Sequence, residues 1–239
     1  MIILLFGAPG SGKGTQSRFI SECRQIPAIS TGEMLRAECQ GETVLGVALR
    51  SIIAAGSLVD DELVNDLVVH RVTKPDCSGG FILDGYPRTA AQADFLSRFV
   101  KDSKLPEPTV IHLDVPAPVL VARLSSRQSC PACGRSYNLQ KLPARTGRCD
   151  ADGQTLIARA DDAAEVVSQR LEAYHRLSEP LIEYYQGASY HRIDGQCAPE
   201  RISDEIRGII AGHAGNGANG AGQSSHMVAR QEPGYTKRQ

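Results

Sequence analysis

Gly7-Ala8-Pro9-Gly10-Ser11-Gly12-Lys13-Gly14-Thr15 follows the apolar run Ile2–Phe6 and precedes a helical pattern, and this constrains the chain more than any other feature. A strand, a glycine loop and a helix in that order turn backbone N–H groups inward around an anion. The helix N-terminus adds positive potential and Lys13 adds a mobile charge. The general phosphate loop asks for Ser or Thr after the lysine. Here Gly14 stands there, and the hydroxyl comes one residue later at Thr15.

Further apolar runs mark strands at Phe81–Leu83, Val110–Leu113 and Tyr190–Ile193, and helical spacing appears in Asp61–Val72, Pro118–Arg127 and Ala163–Tyr185. Strands alternating with helices predict an α/β fold, a parallel sheet with helices on both faces. Two stretches interrupt the alternation. Ser30–Val59 reads as a mostly helical insertion, and Ser129–Ala158, rich in Cys, Gly, Pro and Arg, reads as a small subdomain. From Gly212 to Gln239 the chain is Gly/Ala/Asn/Ser-rich and is expected to be disordered, because it buries too little to offset ordering entropy.

A formal net charge of −1 over 239 residues gives no basic field to recruit nucleic acid or an anionic membrane. No apolar run approaches the roughly 20 residues of a membrane span. The start lacks a basic leader region, which makes the expected location cytoplasmic. Arg outnumbers Lys 20 to 6, a ratio that suits phosphate clamps and equally suits a coding bias. His112, inside an apolar strand, is expected to be structural. Arg18, Arg50, Arg98 and Arg176 read as solvated helix residues.

Cys130-x-x-Cys133 and Cys149-x-x-Asp152 form two knuckles fifteen residues apart. Three thiolates and a carboxylate are an allowed zinc shell, and four protein ligands make such a site structural. Asp150 competes with Asp152 as the fourth ligand. A relic site or a reversible disulfide are the other readings of the cluster.

Gly-x-Pro-Gly-x-Gly-Lys-Gly-Thr is the phosphate-loop variant of nucleoside monophosphate kinases. Ser30–Arg36, Gly56–Val59, Asp84–Arg88 and Arg159–Asp162 complete a set of motifs, in order, that resembles the adenylate kinase family from Met1 to about Gly208. The resemblance implies a P-loop-type core of residues 1–29, 60–125 and 164–211, an AMP-binding insertion at 30–59, a zinc lid at 126–163 and a tail at 212–239. It implies ATP + AMP = 2 ADP with Mg²⁺, ATP, AMP and ADP as partners, no nucleic acid or membrane, and a monomer.

Residue by residue, the resemblance puts Gly10, Ser11, Gly12, Lys13, Gly14 and Thr15 on the ATP phosphates. Arg123 and Arg127, read as one helical face, would stand on the ATP side. Ser136 and Tyr137 would touch ATP from the lid, and the backbone at Cys197 would meet its adenine. Thr31, Arg36, Ser57, Leu58, Val59, Gly85, Tyr86, Pro87 and Arg88 would hold AMP, with Gln92 reading its base. Arg159 and Arg170 would reach the phosphates between the nucleotides, and Asp84 would hold waters of the Mg²⁺ shell. Lys13, Asp84, Arg88, Arg123, Arg159 and Arg170 form the implied catalytic set. Some bacterial members carry the Cys130, Cys133, Cys149, Asp152 lid. Tyr86 stands for a common Phe, and Asn138 for a His often found there. The competing readings are a UMP/CMP-type kinase and a non-catalytic nucleotide-binding module.

Overall fold

Ile2–Phe6 (β1) is buried along its whole length. Alternate side chains of a strand point to opposite faces, so an unbroken apolar strand needs cover on both sides. The computed structural model, which describes residues 1–41, 43–55, 57–138, 147–187 and 189–216, supplies that cover. Ile2, Leu4 and Phe6 pack into one core cluster, while Ile3 and Leu5 pack into another.

Five parallel strands lie in the order β2-β3-β1-β4-β8: Ala28–Ser30 (β2), Phe81–Asp84 (β3), β1, Thr109–Asp114 (β4) and Tyr190–Asp194 (β8). Leu4 is level with Leu83 on one side and with Val110 on the other. The helices Lys13–Arg24 (α1) and Pro199–Asn216 (α9) cover one face. Gln16 ties them, donating from Nε2 to Pro199 O at 3.0 Å and accepting from the Ser203 hydroxyl at 2.9 Å. Thr31–Glu38 (α2), Val44–Ala54 (α3), Asp61–Val72 (α4) and Ala90–Asp102 (α5) lie on the other face, where Leu35, Leu49, Val68 and Leu96 join the β1 cluster. Ala117–Ser125 (α6) and Ala164–Ala173 (α7) pack through Leu120, Leu124, Val167 and Leu171. A π turn, Tyr174–Ser178, then leads into Leu181–Tyr185 (α8).

The expected strands are present: β1 spans its apolar run unchanged, and β3, β4 and β8 run one or two residues past theirs. β2 is too short, and has too few apolar residues, to show a period of its own. The stretch read as helix Pro118–Arg127 ends at Ser125, which corrects the helical placement of Arg127. Ser125 and Ser126 turn their hydroxyls back onto the carbonyls of Val121 and Ala122, and Arg127 begins a strand. That strand, Arg127–Ser129 (β5), is the middle of a separate antiparallel sheet with Ser136–Asn138 (β6) and Ile157–Ala158 (β7). α9 continues through Asn216, past the boundary read at 211, since extending a formed helix costs little per residue. Residues 217–239 and 139–146 lie outside the described residues.

Ile111 is fully buried at the sheet centre. Ile111→Ala is expected to cost about 3 kcal/mol, seen as a fall in Tm of roughly 6–12 °C.

Candidate functional site: a phosphate cleft and a cysteine knuckle

The phosphate loop leaves the C-terminal end of β1, next to the point where the chain switches from β3 on one side to β4 on the other. Open α/β sheets place ligands at such a point. Two glycines make the loop possible. A Cβ on Gly7 (φ +140°) would stand 2.6 Å from Leu113 O, and one on Gly10 (φ +85°) would stand 2.9 Å from Leu124 Cγ. Lys13 reaches back across the loop, donating from Nζ to Gly7 O at 2.7 Å and Ala8 O at 3.1 Å. The Ser11 hydroxyl is buried there without a hydrogen-bond partner, a demand that a ligand oxygen would satisfy.

Asp84 closes β3 beside this loop. Its Oδ2 lies 3.7 Å from where a Cβ on Gly14 would stand, so a carboxylate fills the neighbourhood of the hydroxyl that the general motif supplies. Burial raises the Asp84 pKa, while Lys13, Arg88, Arg36 and Arg159 pull it the other way. Burial lowers Lys13 to about 8; Asp84 opposes that, and Arg88, Arg170 and Arg127 add to it.

The arginines come from separated segments and meet over one cleft. Arg127 makes a bidentate pair with Asp162, with Nε 2.6 Å from Oδ2. Arg159 Nε lies 3.0 Å from Asp161 Oδ1, and Arg170 NH1 reaches both aspartates at 3.0–3.1 Å. Arg88 donates from Nε to Gly85 O at 2.7 Å. Burial brings Arg36 down to about 10, helped by the charge of Arg159 and opposed by Asp161 and Glu33. Asp161 stays below the usual carboxylate range despite its burial, because Arg170, Arg159 and Arg36 surround it. Lys13 and five arginines thus face Asp84, Asp161 and Asp162. The excess is positive, as a polyphosphate site requires.

The cleft has a cavity volume of about 150 Å³. Ser57, Leu58, Val59, Gly85 and Pro87 line it together with Gly7, Lys13, Arg36, Arg88 and Arg170. Asp161, Tyr174 and Ser178 also line it; nothing in the sequence marks Tyr174 or Ser178, and only the two consecutive acids of the Arg159–Asp162 motif hint at Asp161. A small recess off the cleft adds Thr31, Val64 and Gln92. The Thr31 hydroxyl donates to Gly85 O at 3.0 Å.

Other residues stand elsewhere. Tyr86 is fully buried, and its hydroxyl, which Phe would lack, donates to Asn65 Oδ1 at 2.5 Å. Arg123, on α6, donates to Gly195 O at 2.9 Å and to Ser11 O at 3.4 Å, joining the phosphate loop to the turn that carries Cys197. Thr15 and Ser136 are exposed. Asn138 Oδ1 accepts from the Ser126 hydroxyl at 3.1 Å. His112 sits between the Tyr190 and Tyr174 hydroxyls at 2.7 and 3.4 Å, and burial lowers its pKa.

In the small sheet, ligand atoms of Cys130, Cys133, Cys149 and Asp152 lie within 4.8 Å of one another. Cys133 Sγ is 3.5 Å from Cys149 Sγ, and Cys130 Sγ is 3.2 Å from Asp152 Oδ2. Thiolates on a tetrahedral zinc, with Zn–S of about 2.3 Å, stand about 3.8 Å apart, so the cluster fits that ion. The Gln154 N–H and the Cys149 and Cys130 thiols draw Asp152 down to about 2. Asp150 is taken by Arg135 and the Tyr137 hydroxyl, which also touches Cys149 Sγ at 3.2 Å. Tyr137 therefore faces the knuckle.

The family model for adenylate kinase matches residues 5–190. The chain belongs to the adenylate kinase family. It is 39% identical to an adenylate kinase of Clostridium acetobutylicum over 88% of this chain and 99% of that one. The Clostridium novyi adenylate kinase matches at 39% over 89% and 99% of the two chains. That of Trichlorobacter lovleyi matches at 46% over 78% and 87%. As a member of this family the protein is a nucleoside monophosphate kinase that transfers phosphate from ATP to AMP, and a UMP/CMP-type kinase is not favoured. No described helix is long and apolar enough to cross a membrane.

A buried lysine held near 8 takes up a proton when a phosphate arrives. ATP affinity is therefore expected to fall as pH rises above about 8, by up to about tenfold per unit. Titration calorimetry in buffers of different ionisation heat should show proton uptake there; equal heats in all buffers would remove Lys13 from this role.

Proposed function

We propose that this adenylate kinase works by positioning and charge neutralisation, with its lysine and arginines acting on phosphate. The observation that carries the reading is the convergence of Lys13, Arg36, Arg88 and Arg170 on one cleft, with Arg127 and Arg159 near enough for their charges to act on Lys13 and Arg36. Phosphoryl transfer needs aligned reactants and neutralised charge on the moving group. The AMP phosphate is itself the attacking oxygen, so no residue has to deprotonate it.

Gly10–Thr15 hold the ATP phosphates through loop N–H groups, with Lys13 swinging from its carbonyl partners onto phosphate oxygen. Arg123 and Arg127 serve the ATP side, and Cys197 offers backbone to its adenine. Arg36 and Arg88 hold the AMP phosphate, and Thr31, Ser57–Val59, Gly85, Pro87 and Gln92 form the AMP pocket, with Tyr86 buried behind it. Arg159 and Arg170 bridge the two nucleotides. Asp161 and Asp162 keep these arginines aimed and partly neutralised until the phosphates arrive. Mg²⁺ bound with ATP supplies further neutralisation of phosphate charge, and Asp84 fits as the carboxylate that holds it through water. Segments 30–59 and 126–163 close over the site and exclude water. The short turn at 160–162 packs beside α3, which supports that reading. Ser136 and Tyr137 would meet ATP only after turning from their present positions.

The knuckle holds zinc through Cys130, Cys133, Cys149 and Asp152, pinning the small sheet without entering the chemistry. The protein works as a cytoplasmic monomer.

ADP formation should be strong with AMP and weak with UMP, CMP or GMP. Lys13→Met and Arg88→Ala should each lower turnover by at least about 10³-fold with Tm little changed; near-normal turnover by either folded variant refutes its assignment. Purified protein should carry one zinc per chain, and a chelator should lower Tm. Unaltered unfolding after complete metal removal would count against a structural zinc.

A further inference from the structure

Gln92 is the third residue of α5, almost fully buried at the wall of the small recess. Its Oε1 accepts from Arg88 N–H at 2.8 Å, and its Nε2 donates to Asp61 Oδ1 at 2.7 Å. A backbone N–H only donates and a carboxylate only accepts. Turning the amide over would set two donors face to face at Arg88 and two acceptors face to face at Asp61. The amide therefore has one sense.

Asp61 is itself held. It follows the N-cap Asp60 in the first turn of α4, where the helix end favours a negative charge. Its Oδ2 accepts from the Thr89 hydroxyl at 2.7 Å, and that hydroxyl caps α5 by accepting from Gln92 N at 3.2 Å. The starts of α4 and α5 are thus cross-linked through one carboxylate.

A primary amide has two N–H donors and two acceptor lone pairs. With Arg88 N and Asp61 satisfied, one donor and one acceptor remain for a ligand. Thr31 spends its donor on Gly85 O, the remaining N–H groups of Arg88 are those assigned to phosphate, and the side chains of Leu35, Leu58, Val59 and Val64 are apolar. Among the side chains lining the recess, Gln92 is left to read a base edge. A 6-aminopurine offers a donor at C6 beside an acceptor at N1, and a 6-oxopurine offers the reverse. The same amide turned over would suit the second base, so its sense is a choice between the two.

We propose that Asp61 is a positioning residue for acceptor specificity, holding the Gln92 amide in the sense that accepts a 6-aminopurine and rejects a 6-oxopurine. This rests on the reading that the recess takes the base of AMP.

The test compares kcat/KM for AMP and for inosine monophosphate in the full-length enzyme. Asp61→Asn is nearly isosteric and can present its own NH₂ to Gln92, which removes one of the two locks. The AMP-to-IMP ratio should fall about tenfold, the scale of one charge-assisted hydrogen bond, with KM for ATP within twofold of wild type. Thr89→Ala removes the α5 cap but leaves the Asp61–Gln92 pair; it should lower Tm and keep the ratio.

A folded Asp61→Asn enzyme with an unchanged ratio overturns the proposal, as does an equal loss of ratio in Thr89→Ala. Gln92→Ala separates the underlying reading: unchanged AMP kcat/KM there would mean that the base lies elsewhere. If Asp61→Asn does not fold, the wild-type protein still decides by NMR. The Gln92 side-chain NH₂ should exchange slowly with solvent and show well-separated proton shifts; rapid exchange would overturn the lock.

Discussion

Six cationic side chains gathered in and beside one cleft repel one another, and burial penalises the charges of those that line it. Asp84, Asp161 and Asp162 make that arrangement tolerable. Asp161 and Asp162 hold Arg127, Arg159 and Arg170 by direct ion pairs, while Asp84 lies beside Lys13 and Arg88. Complete neutralisation would leave no reason for a polyphosphate to bind, and removal of all three acids would leave the cleft too repulsive to assemble. Burial, with the neighbouring cations adding to it and the acids opposing it, depresses the basicities of Lys13 and Arg36.

The fold exists to bring those groups together from distant parts of the chain. Lys13 begins the helix after β1, Asp84 ends β3 and Arg88 follows it. Arg36 comes from α2, Arg127 from β5 and Arg170 from α7. Parallel strands put their C-terminal ends on one edge of the sheet, so loops after β1 and β3 meet there without further design. α6 packs under the phosphate loop through Leu120 and Leu124, and its Arg123 ties that loop to the turn after β8.

Much of this was legible in the residues. The long buried strands announced themselves because burial on both faces makes a continuous apolar run. β2 did not, being short. The phosphate loop and the cysteine knuckles were legible because both chemistries need fixed residue types at fixed spacing. Arg127 was misplaced on a helix because the two serines that end α6 carry no strong stop signal; only their back-bonded hydroxyls show it. The choice between Asp150 and Asp152 depended on where Arg135 and Tyr137 point, a tertiary matter. Asp161 and Asp162 carry no sign of their role in the sequence, since a counterion is recognisable only when its cation is seen beside it.

β1 also has a consequence for how such a chain can change over time. Ile2, Leu4 and Phe6 belong to the half of the interior that underlies α2 to α5, while Ile3 and Leu5 belong to the half beneath α1 and α9. The two apolar compartments share a backbone but no side-chain packing. Substitutions in separate, non-contacting clusters tend to combine additively. The acceptor side can thus drift, repack or shift its substrate preference while the donor side keeps its geometry. One strand, read alternately, makes two nearly independent evolutionary units out of a single sheet.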